Sequence, residues 1–252
     1  MVIEMKFNID VETLVEYLEG IKGSDDGKIV EILIEYSPDG LVCSAKNPEV
    51  TRMVKAEMPK AIISSFEGQP EEFISTIDIV KLIGYLGRFK KKITVATQDN
   101  RLLIKAGEKE AYFVMPAKDY VQVAKMSKTI PYTHTFDINV ELFQDAISNA
   151  GAIGKDSIYE VGIKDGQLYI CSGDRKMDYF VEKTSIVGVG NIKSYFKAGF
   201  ESLFANANGK IKVSMMEGGP MQTYYEKNGM KFTNVCPPFT VDEEVKTEEA
   251  KA

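Results

Sequence analysis

The chain contains 252 residues and carries a formal net charge of -6 at pH 7. That length accommodates one large domain or two domains of ordinary size. Hydrophobic residues make up 44% of the sequence and charged residues 27%, and these fractions exclude a mainly disordered chain. The acidic balance argues against a nucleic-acid-binding protein unless the basic residues are gathered on one surface.

The three cysteines, Cys43, Cys171 and Cys236, form no C-x-x-C pair and are odd in number. We expect them to be reduced and buried, as in a cytosolic protein. The first residues alternate and carry charge, unlike a signal peptide. No apolar run approaches the roughly 18 residues that a membrane-spanning helix needs, so no membrane partner is expected.

The first part of the chain predicts many short strands and two helices. Apolar residues at Val11, Leu14, Leu18 and Ile21 have the spacing of an amphipathic helix. In chain order we predict a strand at 1–9, a helix at 11–21, strands at 28–36, 41–45 and 51–57, a helix at 76–86, and strands at 92–97, 102–106 and 110–115.

The same order then restarts. We predict a strand at 133–138, a helix at 140–150, a hairpin of 158–164 with 167–172, a strand at 177–183, a helix at 195–205, and strands at 210–216, 221–226 and 231–236. The Asp39-Gly40 turn and the Asp165-Gly166 turn occupy equivalent places in the two series. This indicates an internal duplication, although any two antiparallel domains can share hairpins with Asp-Gly turns.

The segment between the two series fits neither copy, because it is polar and holds only scattered apolar residues. We therefore predict an N-terminal domain at 1–116, an extended connector at 117–132, a C-terminal domain at 133–241 and an acidic, disordered tail at 242–252.

Catalytic motifs are missing from the sequence. His134 is the only histidine, which excludes a two-histidine metal site, and its position predicts an ordinary strand residue. Gly188-Val189-Gly190 lacks the third glycine of a dinucleotide-binding loop and predicts a flexible turn. Glu12, Glu16 and Glu19 on the first helix are typical of a solvated face. We expect no catalytic residue, no metal and no cofactor, and therefore no enzyme.

Three stretches carry a resemblance to a known family. They are 40–50, in which Lys46 and Asn47 stand where the family usually has Met and Asp, Pro-Met-Gln-Thr-Tyr-Tyr at 220–225, and Val-Cys-Pro-Pro at 235–238. In order and spacing they resemble the PCNA family of DNA sliding clamps, in a divergent, archaeal-like form, over residues 5–239.

This resemblance implies an α+β fold with two similar clamp domains, each with two helices packed on antiparallel sheet. Three chains would close head to tail into a ring around duplex DNA. The implied function is that of a processivity factor in DNA replication and repair. The partners would be DNA polymerase, ligase, flap nuclease and a clamp loader, and the location the cytoplasm or nucleoid, or the nucleus in a eukaryote.

The resemblance also implies three sets of site residues. The pocket for client peptides, beneath the connector, would comprise Lys46, Val50, Met53, Val123, Met126, Pro220, Val235, Cys236 and Pro237. The subunit interface would comprise Tyr112, Phe113, Met115, Tyr179, Phe180 and Val181, on the strands at 110–115 and 177–183. The DNA-facing residues would be Lys22, Lys81, Arg88, Lys155, Lys193 and Lys197, with Lys90 and Lys91 as further candidates.

Simpler interpretations remain open for each set. Val50, Met53 and Val235 could fill a core, both edge strands could be covered within the chain, and most of the lysines could be ordinary solvated residues. Lys46 at a normally apolar rim and the acidic first helix also suit a clamp-fold scaffold or decoy that binds client proteins or other clamp subunits without tracking DNA.

Overall fold

The computed structural model describes residues 5–24, 28–68, 73–76, 78–121, 123–126, 130–153, 158–172, 178–180, 186–197, 200–204 and 206–239. The first half contains helices α1 (Val11–Lys22) and α2 (Ile79–Leu86). Its strands are β1 (Met5–Asp10), β2 (Ile32–Ser37), β3 (Gly40–Lys46), β4 (Met53–Pro59), β5 (Ser64–Glu67), β6 (Phe73–Thr76), β7 (Lys92–Gln98), β8 (Arg101–Ala106) and β9 (Lys109–Val114).

In the described part of the second half there are one α-helix, α3 (Val140–Ile153), and a five-residue 3₁₀ helix, Phe200–Phe204. Its strands are β10 (His134–Asn139), β11 (Ile158–Lys164), β12 (Gln167–Ser172), β13 (Asp178–Phe180), β14 (Ile192–Lys197), β15 (Lys210–Met215), β16 (Met221–Lys227) and β17 (Met230–Cys236). Two further 3₁₀ turns, Lys60–Ile62 and Lys118–Tyr120, lie in the first half and in the connector.

Three antiparallel sheets order these strands. The first runs β5-β1-β7-β8-β9, the second β10-β15-β16-β17-β4-β3-β2-β6, and the third β13-β12-β11-β14. The helices cover one face of the sheets: α1 packs against β1, β4 and β17 and beside α2, whereas α3 packs against β10, β12 and β13. The core between helices and sheets is aliphatic and aromatic, with Phe7, Tyr17, Phe143 and Phe196 fully buried.

Apolar spacing explains why α1 and α2 form where they do. Along α1, Leu14, Leu18 and Ile21 fall on one buried face, as the sequence predicts. The side chain of Asp78 caps α2, because its Oδ1 accepts a hydrogen bond from the Lys81 backbone N–H at 2.8 Å.

The two halves repeat one pattern of strand pairing. Strand β1 pairs with β7, which continues to β8 and β9, and β10 pairs with β15, which continues to β16 and β17. Likewise β6-β2-β3-β4 in the first half matches β14-β11-β12-β13 in the second. The two hairpin turns differ in detail. Asp165 and Gly166 are the turn residues between β11 and β12 and both have positive φ, 51° and 73°, as a tight two-residue hairpin turn requires, whereas Pro38 and Asp39 are the turn residues between β2 and β3 and Gly40 pairs with Ser37. The repeated strand pairing agrees with an internal duplication.

The predicted helix at 195–205 is wrong. Residues 192–197 form a strand, because Ile192, Ser194 and Phe196 alternate into the core with a period of two. Among the described residues, only the 3₁₀ helix Phe200–Phe204 stands where α2 stands in the first half. The other predicted helix also begins later, since Thr76 ends a strand and α2 starts at Ile79.

The halves join at one strand pair. Strand β17 of the second half pairs with β4 of the first, with Val235 opposite Met53 and Lys231 opposite Glu57. Beneath this junction lies Arg52, whose side chain is fully buried. Helix α1 also contacts the second half, because Asn206 donates a 2.6 Å hydrogen bond to the Glu19 carbonyl oxygen.

Candidate functional site

The connector runs back across the first half. The Ser75 hydroxyl donates a 2.6 Å hydrogen bond to the Pro116 carbonyl oxygen, and Lys118 forms an ion pair with Glu35. Farther on, Val123 forms a single antiparallel bridge with Ala45, at the end of β3. The connector is therefore held at its start and again near its middle, with a space between it and the strands below.

A groove of ≈ 520 Å³ occupies this space. It is lined by Ser44 of β3, Met53 and Lys55 of β4, Ala124, Lys125, Met126 and Ile130 of the connector, Gln222 of β16, and Thr233 and Val235 of β17. The groove thus lies over the β17–β4 junction and contains side chains from both halves and the connector. A volume of this size accommodates a few side chains of a bound segment.

A smaller cavity of ≈ 160 Å³ is lined by Val50, Thr51, Lys197, Cys236, Pro237, Pro238 and Phe239. Val50 is a β-branched residue with φ of 54°, which is rare. Asn47 braces the loop, because its side-chain amide donates to Thr51 Oγ1 at 2.8 Å and its Oδ1 accepts from the Arg52 backbone N–H at 2.8 Å. The Lys197 ammonium lies 4.8 Å from the centre of the Phe239 ring.

Six of the nine predicted pocket residues line one of these two cavities. Met53, Met126 and Val235 line the groove, whereas Val50, Cys236 and Pro237 line the smaller cavity. The other three lie outside both linings: Val123 makes the bridge to β3, Lys46 ends β3 opposite Met53, and Pro220 precedes β16.

Several residues that line the groove were not predicted from the sequence. Lys55, Gln222 and Thr233 lie on strands whose alternation places them on the same face as Met53 and Val235. That alternation was a usable signal for Lys55 and Thr233. Nothing comparable indicates Ala124, Lys125 or Ile130, because the connector has no regular period.

The exposed surface of the helices is more acidic than basic. Helix α1 presents Glu12, Glu16 and Glu19 beside Lys22, and α3 carries Glu141 and Asp145 with no basic residue. Several of these charges are paired within the chain. Glu19 binds Lys22 at 2.7 Å, and Glu16 binds Lys227 at 3.1 Å and accepts from the Asn228 side chain at 2.6 Å.

One corner of the helix layer is basic. Between Asp78 and β7 the chain presents four exposed cations, Lys81, Arg88, Lys90 and Lys91. The Arg88 guanidinium carbon lies 5.5 Å from the centre of the Tyr85 ring. This cluster, which we call the α2 corner, includes Lys81 and Arg88 of the predicted DNA-facing set.

The remaining predicted DNA-facing residues lie elsewhere. Lys22 is paired with Glu19, and Lys155 falls outside the described residues. Lys193 and Lys197 belong to β14 rather than to a helix, on the face opposite the buried Ile192 and Phe196. Since the buried face of β14 is turned to the core, these two lysines lie on the side of the sheet away from the helices.

Strands β9 and β13 each end a sheet in the described part of the chain. On β9, Tyr112 is 55% exposed and Val114 is 81% exposed, whereas Phe113 packs against Tyr85 with ring centres 5.2 Å apart. Met115, just past β9, is buried. Tyr179 and Phe180 belong to β13, and Val181 falls outside the described residues.

The described residues show no group of three or more His, Cys, Asp and Glu side chains arranged to hold a metal ion. His134 is buried, with Nδ1 3.0 Å from Thr133 Oγ1 and Nε2 3.2 Å from the Gly190 carbonyl oxygen. This geometry ties β10 to the loop that precedes β14. Within the described ranges, no helix combines the length and apolar character needed to cross a membrane.

Solved PCNA structures share this architecture. PCNA of Entamoeba histolytica is 10% identical with a TM-score of 0.76, and the match covers 95% of this chain and 100% of that chain. A. fulgidus PCNA, in a structure with the C-terminal region of FEN-1 bound, is 16% identical with a TM-score of 0.75 and the same coverage. PCNA of Thermococcus kodakaraensis is 13% identical with a TM-score of 0.74, covering 93% of this chain and 100% of that chain.

No protein-family profile and no curated protein sequence matches the chain. The likeness is therefore one of fold: the chain has the α+β clamp fold of PCNA, as the sequence predicts, at low sequence identity. The second half departs from the expected two helices, because its second helix is the short 3₁₀ segment.

Proposed function

We propose that the chain is a sliding clamp, in which three copies close into a ring around duplex DNA and hold DNA polymerase and other replication and repair enzymes on it. In this proposal the chain is a non-enzymatic tether. The partners are duplex DNA, held without sequence preference, and client proteins that insert a short segment into the connector groove.

The observation that carries the ring is the β17–β4 junction. Strand β9 is the first-half equivalent of β17, and β13 is the second-half equivalent of β4. The chain therefore pairs β17 with β4 internally, whereas the equivalent strands β9 and β13 remain at the ends of two sheets. Pairing β9 of one copy with β13 of the next repeats the internal junction between chains, and a head-to-tail contact of this kind closes by rotation.

The groove supports the recruitment of clients. It lies over the β17–β4 junction, and Met53, Met126 and Val235 give it apolar walls of the kind that bind the anchors of a short segment. The structurally similar A. fulgidus PCNA binds the C-terminal region of FEN-1. We infer that polymerase, ligase, flap nuclease and a clamp loader use comparable segments here.

The α2 corner supports DNA contact. Lys81 lies on α2, and Arg88, Lys90 and Lys91 lie on the loop that follows it, beside the helix layer that faces the hole in the proposed ring. Phosphate contacts without base contacts give the weak, sequence-independent attraction that sliding requires. Because α1 and α3 carry more acidic than basic residues, we assign most of the contact to Lys81 and Arg88 and their neighbours.

Sedimentation equilibrium tests the ring. We expect a species of three times the 28.1 kDa chain mass at micromolar concentration. A stable monomer under these conditions contradicts an autonomous homotrimer. Primer extension by a DNA polymerase on primed circular DNA then tests the function: the chain should lengthen the products made in a single binding event.

A second candidate is a clamp-fold scaffold that binds clients or other clamp subunits without tracking DNA. The acidic surfaces of α1 and α3 favour it, since they would repel phosphate. The double variant Lys81→Ala/Arg88→Ala separates the two. If the unmodified chain stimulates the polymerase and the double variant does not, while both bind clients equally, the sliding clamp is supported. If the unmodified chain binds clients but does not stimulate the polymerase, the scaffold is supported.

A further inference from the structure

The connector groove combines an apolar floor with a basic rim. We propose that it selects client segments that carry aspartate or glutamate beside their apolar anchors. The proposal rests on the proposed function, because it names the chemistry of the clients that the groove recruits.

The floor accounts for the apolar anchors. Met53 and Val235 face each other in the β4–β17 register, and Met126 and Ile130 approach from the connector. Methionine side chains adapt their shape to different partners, so two of them in one groove suit several aliphatic or aromatic anchors. The apolar floor alone therefore selects the size of the anchor side chains more than their identity.

The rim accounts for the acidic residues. Lys55 and Lys125 line the groove, and Lys46 ends β3 directly opposite Met53. Among the described connector residues, Lys125 is exposed and basic, whereas Lys118 is paired with Glu35. A segment bound in the groove therefore meets Lys46, Lys55 and Lys125.

Carboxylates near the groove compensate some of these lysines but not all of them. Glu57 pairs with Lys55 at 2.6 Å, with both side chains about 40% exposed, and Glu35 pairs with Lys118. Among the described residues no carboxylate forms an ion pair with Lys46 or Lys125, so these two cations remain available to a client. A client that covers the rim removes water from Lys55 and Lys125, and carboxylates on the client replace that water with charge-assisted hydrogen bonds.

The smaller cavity adds to the preference for acidic client segments. Lys197 lines it and lies over the Phe239 ring, so a cation also stands beyond the end of β17. A segment that leaves the groove in this direction meets a second basic site. Acidic residues on either side of the anchors are therefore favoured over lysine or arginine, which are repelled.

Two fluorescein-labelled peptides with identical apolar anchors test this proposal, one with glutamate and one with lysine at the flanking positions. Anisotropy titrations of the full chain should show the acidic peptide binding roughly tenfold more tightly at low salt, since two or three exposed pairs each contribute a few-fold. The difference should shrink at 0.5 M salt, where exposed charges are screened.

The variant Lys125→Glu should reduce or reverse the preference, whereas Lys164→Glu, at the exposed β11–β12 turn, should leave it unchanged. Equal affinities for the two peptides, or tighter binding of the basic one, overturn the charge preference and leave the groove as a client site. Failure of both peptides to bind overturns the client groove itself and this proposal with it.

Discussion

The Arg52 guanidinium donates two hydrogen bonds to one oxygen of Asn234, from Nε at 3.1 Å and from Nη2 at 2.8 Å. It also donates to the carbonyl oxygens of Gly20 and Ile21, at 2.7 Å each. These carbonyls end α1, where the helix dipole favours a cation. Burial lowers the pKa of Arg52 to about 10. One side chain thus ties α1 and β4 of the first half to β17 of the second.

Arg52→Ala should therefore destabilise the fold strongly. The substitution leaves a cavity and deprives two buried carbonyl oxygens and the Asn234 side chain of their donors. We expect the free energy of unfolding to fall by about 3–5 kcal/mol in urea titrations. Lys231→Ala, an exposed change on β17, serves as the control and should alter stability by less than about 0.5 kcal/mol. A similarly small effect of Arg52→Ala would contradict the structural role.

Local patterns predicted much of the fold but could not predict this network. The hydrogen-bond partners Arg52 and Asn234 lie 182 residues apart, and neither has a distinctive local sequence. Helix α1 was predictable because its apolar spacing is regular, and the β11–β12 hairpin because Asp165-Gly166 suits a tight turn. The short strands β5 and β6 were not predicted, because four residues are too few to show an alternating pattern. Only their pairing with neighbouring strands identifies them.

The failed helix at 195–205 has a related cause. Phe196, Phe200 and Leu203 have the spacing of one face of a helix. Ile192 and Ser194, however, alternate with Phe196 as in a strand, and this segment pairs with the sheet instead. The groove was partly predictable because the resemblance supplied Met53, Met126 and Val235. Of its basic rim, Lys46 came from the resemblance and Lys55 follows from the alternation of β4, but Lys125 could not be predicted, because its position depends on the path of the connector.

The buried Tyr17 predicts a loss of stability at alkaline pH. Its hydroxyl donates to the Ala56 carbonyl oxygen at 3.1 Å, and burial raises its pKa well above the ordinary value. Above about pH 10 the unfolded chain loses this proton and the native chain keeps it, so the free energy of unfolding falls by about 1.4 kcal/mol per pH unit for this group. The contribution is fully present at lower pH.

Tyr17→Phe should make that fall shallower between pH 10 and pH 11 and lower stability by about 1 kcal/mol at pH 7, where a hydrogen bond is lost. Urea titrations across this pH range measure both effects. Tyr120→Phe, on the connector with Tyr120 80% exposed, is the control and should leave the pH dependence unchanged. An unchanged slope in Tyr17→Phe would contradict the assignment.

The cysteines should be unreactive in the native protein. All three are buried thiols outside any disulfide, burial raises the pKa of Cys43 to about 12, and burial also raises the pKa of Cys236. Because the thiolate is the reactive form, a thiol reagent at pH 8 should label the folded chain very slowly and all three cysteines in urea. Rapid labelling of Cys43 without denaturant would show that β3 opens readily.

Val50 predicts a site where a substitution stabilises the chain. Its φ of 54° costs a β-branched residue about 1–2 kcal/mol, and its side chain is 39% exposed. Val50→Asn should raise the free energy of unfolding by about 1 kcal/mol, since asparagine tolerates this conformation better. Val54→Asn, at a buried position of β4, should lower the free energy of unfolding. A loss of stability in Val50→Asn would mean that its contacts in the smaller cavity outweigh the backbone strain.

Val114 offers a direct test of the edge through which the proposed ring closes. It lies at the end of β9 and is 81% exposed, so Val114→Lys should leave the fold intact. If β9 pairs with β13 of the next copy, burying a lysine there should weaken association at least tenfold and shift sedimentation towards monomer. Val187→Lys, on a loop where Val187 is 73% exposed, is the matched control and should not change the assembly. A Val114→Lys chain that sediments like the unmodified protein, with unchanged circular dichroism, would place the subunit contact away from this end of β9.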